Sequence, residues 1–213
     1  MTKRLAQSHP GDATKPRTRI QKRNRELILE AALEEFSRNG YRGATLDQIA
    51  TQAGLSKPNL LYYYPSKEAI HRELLHGLLD TWLDPLKAMD HGGEPLEEIL
   101  EYVRRKLQLA RDFPRESRIF ANEILQGAPT ILPDLEGDLK TLVDRTAETI
   151  NGWIKAERIA PVDPVHLIFS IWSLTQHYAD FDVQVRAVNG GADPFPGAEQ
   201  HLETLFRRML SPA

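Results

Sequence analysis

Residues 45–67 read TLDQIATQAGLSKPNLLYYYPSK. Thr45 followed three residues later by Gln48 is a capping box, in which side chains and backbone groups satisfy one another at a helix start. Leu46, Ile49 and Ala50 recur at helical spacing and form one apolar face. Gly54 supplies the positive φ that a tight turn needs, and Ser56 caps a second short helix. Pro58 falls in the first turn of that helix, where its missing N–H removes no hydrogen bond. Pro65 stops the helix after Tyr64, the last of three consecutive tyrosines, and Ser66 opens the next one. Two short capped helices about a glycine turn describe a helix-turn-helix.

Upstream, Ile28, Ala31, Ala32, Glu35 and Phe36 return at three- and four-residue steps, and Gly40 stands where a left-handed helix end is expected. Residues 1–18 mix Pro, Gly, Ser, Thr and basic residues without apolar periodicity. The predicted division is therefore a flexible basic arm over 1–19, a three-helix DNA-binding unit over 20–66, and a helical domain over 67–213. Downstream, helices are expected over about 67–90, 95–111, 114–127, from 133 or 134 to beyond Trp153, 164–188 and 198–210. Pro85 lies inside the first of these. No strand-type alternation and no internal repeat occurs, so the fold class is all-α, with about nine helices.

The net charge of −3 conceals an asymmetry. Residues 1–68 carry 12 Lys+Arg against 7 Asp+Glu, and the remainder carries 15 against 23. A polyanion is drawn to one end of such a molecule only. There is no cysteine, which excludes a disulfide framework and a thiolate metal site. No apolar run is long enough to span a membrane and no secretory apolar core follows the first residues, so a cytoplasmic protein is expected. No Gly-rich phosphate loop, nucleophile elbow or HExxH is present, and the seven histidines do not cluster at metal-ligand spacing. Neither catalysis nor a metal or other cofactor is expected.

The first residues of the second helix of a helix-turn-helix enter the major groove of duplex DNA. Here they are Lys57, Pro58 and Asn59. Asn pairs bidentately with adenine, Lys donates to guanine, and Pro offers an apolar edge to a thymine methyl. Tyr62 and Tyr63 are placed to bond phosphates, while Tyr64 is expected to pack inward. Thr45 and Lys67 lie at helix starts, where backbone N–H groups and the helix dipole favour phosphate. Arg17 and Arg19, with Lys15, Lys22, Arg23 and Arg25, would release counterions or reach a minor groove.

Residues 40–70 resemble the DNA-binding domain of the TetR family of bacterial transcriptional regulators, through Gly40, Thr45, Ile49-Ala50, Ala53-Gly54-Leu55-Ser56, Leu60, Tyr62, Lys67-Glu68 and Ile70. The chain departs at Leu61, where the family usually has a phosphate-touching tyrosine. NLLYYYPSKEAI, with WLDPLKA, ANEILQGAP, GDLK, DPVHLIF and IWSLTQHYADF further on, is similar to the pyrimidine-utilisation (Rut-type) repressor branch of that family. The resemblance implies a repressor bound to a double-stranded DNA operator and released by a small molecule, uracil or thymine.

A candidate pocket for that molecule is also visible in the residues. Trp172 and Gln176 share a helix face, Tyr178 is near them in sequence, and Trp82 lies just before Pro85. A primary amide suits the N–H/C=O edge of a cyclic imide, and two indoles can sandwich a flat ring. The same tryptophans serve equally well as bundle core, and Gln176 as a backbone partner. Glu123 and His177 are polar residues in otherwise apolar helices, and solvent-facing or dimer-seam positions fit them equally. Ligand against Trp82 is expected to shift the helix that begins at Lys67 and so move the DNA-reading head. A homodimer is expected, because one helix-turn-helix reads too few bases, with 164–188 and 198–210 as the seam. The alternatives are a regulator answering another flat ligand, and a DNA-binding interaction protein with no effector, whose core would be filled.

Overall fold

Helix α1 (Arg19–Gly43) buries Ile28, Ala31, Ala32, Leu33 and Phe36 on one stripe. Its regular course breaks at Gly40, whose φ of 66° is open to glycine at no steric cost. The computed structural model of the chain describes residues 19–212. Arg17 and Lys15 of the basic arm lie outside those residues.

Helices α2 (Leu46–Gln52) and α3 (Lys57–Tyr63) follow as the sequence predicts. Thr45 and Gln48 form the capping box reciprocally, Gly54 takes φ 68°, and Ser56 Oγ accepts from the Asn59 N–H. Ile49 and Leu60 close the small core with Ile28 and Phe36. Helix α4 (Lys67–Lys87), capped by Ser66, leaves this unit and continues into the second one, with Pro85 inside it near its C-terminal end.

The second unit packs α5 (Pro95–Asp112), α6 (Pro114–Leu125), α8 (Lys140–Lys155), α9 (Pro164–Asp180) and α11 (Phe195–Leu210). Two expected helices differ in detail. The one opening near Pro133 begins as a single turn, α7 (Leu132–Asp134), then widens into a π turn over Leu135–Leu139 before α8. The one expected over 164–188 is broken at Phe181, whose φ/ψ of −114°/28° is not helical; α10 (Asp182–Val188) restarts beyond it. Among the described residues the structure is helical throughout, and no helix is long and apolar enough to cross a membrane.

Two apolar clusters hold the molecule together. The bundle core joins Leu86, Ile99, Val103, Ile150, Ile171, Leu202 and Phe206. The other begins in the helix-turn-helix and runs up α4 through Ile70, Leu75 and Leu78 to Trp82, taking in Ile119 of α6 and Ile131. Trp82 is thus the far end of the same packed body whose near end supports α3. Arg115 of α6 adds a polar tie, with ion pairs to Glu30 at 2.9 Å and Glu34 at 3.0 Å on α1.

Candidate functional site

Leu60 is fully buried and Tyr64 nearly so, which turns the remaining positions of α3 outward. Lys57, Pro58 and Asn59 are exposed together, and Tyr62 is 72% exposed with its ring edge-on to Tyr63 at 5.2 Å. Lys57 Nζ meets Asp47 of α2 at 2.8 Å, a half-exposed pair of small energetic weight that a phosphate or base edge can displace. Tyr63 is half-buried, its hydroxyl accepting from Asn24 Nδ2 at 2.8 Å. Tyr64 packs inward and donates to Glu73 at 3.0 Å. Arg25 is committed to the interior of this unit: it bonds the Tyr63 carbonyl, pairs with Glu73 and covers the Tyr64 ring. Arg19 is exposed at the start of α1.

Two expected phosphate contacts look different in three dimensions. The Lys67 ammonium donates to the Tyr41 carbonyl at 2.6 Å and the Ala44 carbonyl at 2.8 Å, so it closes the end of α1. Carbonyl groups left open at a helix end draw a cation, and the nearest lysine answers them. Thr45 is exposed, but its N–H and hydroxyl both donate to Gln48 Oε1.

The second site is a cavity of about 560 Å³ between α4, α6, the π turn and α9. Leu79, Trp82, Leu83, Leu135 and Leu139 make its apolar walls, and Trp172 and Gln176 face it from α9. The Trp172 N–H donates to the Tyr102 hydroxyl at 2.6 Å, which fixes the indole plane. Trp82 is 5% exposed, and its Nε1 is the one buried side-chain N or O atom without a hydrogen-bond partner among the described residues.

Two of the predicted lining residues are elsewhere. Tyr178 points to the opposite side of α9, against Phe195 of α11 at 6.1 Å, because two residues beyond Gln176 is nearly half a turn around the helix. Glu123 is buried outside the cavity, where its carboxylate accepts from the Thr130 N–H and ties down the loop after α6. His177 is exposed and stacks on Phe181 at 5.0 Å.

The residues that sequence reasoning missed are the charged ones. Lys106 of α5 lines the cavity at 3% exposure, with Nζ 5.7 Å from the Trp82 ring centroid. Burial lowers its pKa to about 8 from an ordinary 10.5, with Asp180 pulling the other way. Asp180 lines the cavity from α9 and accepts from Ser117 Oγ at 2.5 Å; burial raises its pKa, opposed by that hydrogen bond and by Lys106. Both had a signal. Lys106 falls on the buried stripe Ile99, Tyr102, Val103, Ala110, and Asp180 is the next residue on the face of Trp172 and Gln176.

Comparison with known proteins completes the picture. The profile described as "Bacterial regulatory proteins, tetR family" matches residues 28–74, and that described as "YcdC-like protein, C-terminal region" matches residues 75–213. The HTH-type transcriptional regulator RutR of Escherichia coli (strain K12) is 51% identical over 177 residues, covering 83% of this chain and 84% of its own. Among solved structures, a TetR-like transcriptional regulator from Rhodococcus sp. RHA1 superposes with a TM-score of 0.66 at 20% identity, over 91% of this chain and 97% of that one. AibR, solved in complex with isovaleryl coenzyme A and operator DNA, gives 0.66 at 18% identity, over 89% of this chain and 100% of its own. At those identities the superpositions carry the fold alone.

Proposed function

The chain belongs to the TetR family of bacterial transcriptional regulators, and from that premise we propose that it is a homodimeric repressor released from its DNA operator by uracil or thymine. It is a regulator and not an enzyme, as its relatives are. Such a protein works beside the chromosome, in the cytoplasm. The arm over 1–19, the reading head over 20–66 and the effector and dimer domain over 67–213 are its working parts.

In the reading head, Lys57, Pro58 and Asn59 enter the major groove, and Tyr62, Tyr63, Thr45 and the backbone at Lys67 face the phosphates beside it. Arg17 and Arg19 add sequence-independent attraction. In the effector domain, Trp82, Trp172 and Gln176 receive the ring. One observation carries the coupling of the two. Trp82 walls the cavity and belongs to the same buried cluster as Leu60 beneath α3, so a ligand that repositions it repositions the reading head. A ligand shifts DNA affinity only through such a difference between two states.

The 51% identity to a protein named RutR supports a pyrimidine as the effector. An unfilled cavity of about 560 Å³ argues against the effector-free alternative, which calls for a filled core. The dimer seam is supported by the outward apolar side chains Phe169 and Leu174 on α9 and Leu205 and Met209 on α11. Gel-shift titration on operator DNA recovered by selection from genomic fragments, with and without uracil and thymine over a salt series, tests the reading. Either base should raise the protein concentration needed for half-occupancy at least about tenfold, within the usual range of allosteric coupling. Operator occupancy indifferent to both bases overturns the effector, and no preference over random duplex overturns the regulator.

A further inference from the structure

Residues 45–67 contain one carboxylate, Asp47, and two ammonium groups, Lys57 and Lys67. Lys67 donates to carbonyl oxygens at the end of α1, and Lys57 Nζ meets Asp47 Oδ2 at 2.8 Å. Lys57 opens α3, where the helix dipole disfavours a cation, and Asp47 reaches it from the first turn of α2. Both side chains stay open to solvent, Lys57 at 45% and Asp47 at 69%. Asp47 Oδ1 accepts no hydrogen bond among the described residues. Phosphates repel a carboxylate, so one on a DNA-reading face is unfavourable unless a base donates to it.

We propose, on the premise of the DNA-binding reading above, that Asp47 and Lys57 act as one unit that reads a G·C base pair, Lys57 Nζ donating to guanine and Asp47 accepting from the cytosine N4–H. In the major groove that pair presents the acceptors N7 and O6 and then the N4–H donor. O6 and N4 are joined by a Watson–Crick bond, so they lie an ordinary N–H···O length apart, about 2.9 Å. The Nζ···Oδ2 separation of 2.8 Å matches it, and the ion pair stays intact while each end gains a base partner. A T·A pair offers O4 and N6–H in the same order, with a methyl group where guanine has N7. C·G and A·T pairs reverse the order, which sets ammonium against donor and carboxylate against acceptor. The preference at this position therefore runs G·C, then T·A, then the other two. Asp47 also favours the dipole of α2, but that effect is blind to base sequence.

Competition gel shifts with the full-length protein and every single-base-pair variant of the selected operator, changed together in both half-sites, test this. The wild type should show one position per half-site with that order, G·C preferred over A·T at least about fivefold. Asp47→Ala, which keeps a strong helix former in α2, should erase the order there and leave preferences at other positions. Lys57→Met should flatten the same position. The double variant should flatten it no further than either single change, because the two side chains act together. The wild-type ranking retained in Asp47→Ala overturns the proposal. So does an equal loss of affinity for every operator variant, or a Lys57→Met effect at a different position. No preference of the wild type for operator over random duplex overturns the regulator reading itself, and the proposal with it.

Discussion

Asn59, exposed on α3, and Lys106, in the cavity wall, can each be tested alone. Asn59 is exposed on α3 and opposes adenine in the proposed complex, so Asn59→Ala should cost about 1–3 kcal/mol at one base position, the value of a bidentate pair. Competition gel shifts with single-base operator variants check this: the mutant should lose discrimination there and keep its affinity for random duplex. Lys106 makes a prediction about pH. Its folded pKa is about 8 against an ordinary 10.5, so between those values the unfolded chain holds more protons and stability rises with pH. The full charge penalty, on the order of 3 kcal/mol at most, applies below pH 8 and disappears towards pH 10.5. Urea denaturation of the ligand-free protein should show Lys106→Met more stable than wild type at pH 7, with the gap closing by pH 10. A gap that does not depend on pH would place the lysine charge in water.

Among the elements, α4 was expected to link effector and DNA, and the packing gives it a partner. Helix α6 supplies Arg118 and Asn122 to the cavity, bonds Asp180 through Ser117, and reaches α1 through Arg115. Arg115 is not part of the cavity lining. Arg115→Ala should therefore leave uracil affinity for the free protein close to wild type while bringing the affinities with and without operator nearer to each other. Titrating uracil in the presence and absence of operator measures that coupling directly. Coupling equal to wild type would return the whole task to α4. The turn between α2 and α3 is a second test at this scale. Gly54 takes φ 68°, which costs an L-residue about 1–2 kcal/mol, so Gly54→Ala should lower the stability of the reading head by that amount. Its operator affinity should fall with it in thermal-melt and gel-shift series.

For the whole molecule, the governing quantity is the separation of two reading heads. Half-sites lie about 34–36 Å apart, one helical turn of DNA, and a small error in that separation loses one of the two contacts. The seam that sets it is proposed on α9 and α11. Leu205→Glu, placing a charge on an outward apolar position of α11, should yield a monomer in sedimentation at micromolar concentration. The same variant should halve the slope of log affinity against log salt, since half the phosphates are then contacted. A dimer that survives the change would move the seam off α11.

What residues 45–67 could determine alone was local: a capping box, two serine N-caps, a glycine turn and a proline at a first turn are interactions within a few residues, and each stands where the spacing put it. The inward and outward positions of α3 were legible for the same reason, because helical periodicity orders them. Which side chains share the cavity was decided only by tertiary packing. Trp82, Trp172 and Gln176 meet there from α4 and α9, while Tyr178 and Glu123, also candidates on sequence grounds, are turned to α11 and to the loop after α6. Lys106 and Asp180 lay on recognisable helix stripes, but nothing local distinguishes a buried charge that faces a cavity from a long side chain that reaches water. That distinction belongs to the volume between helices, which no single helix encloses.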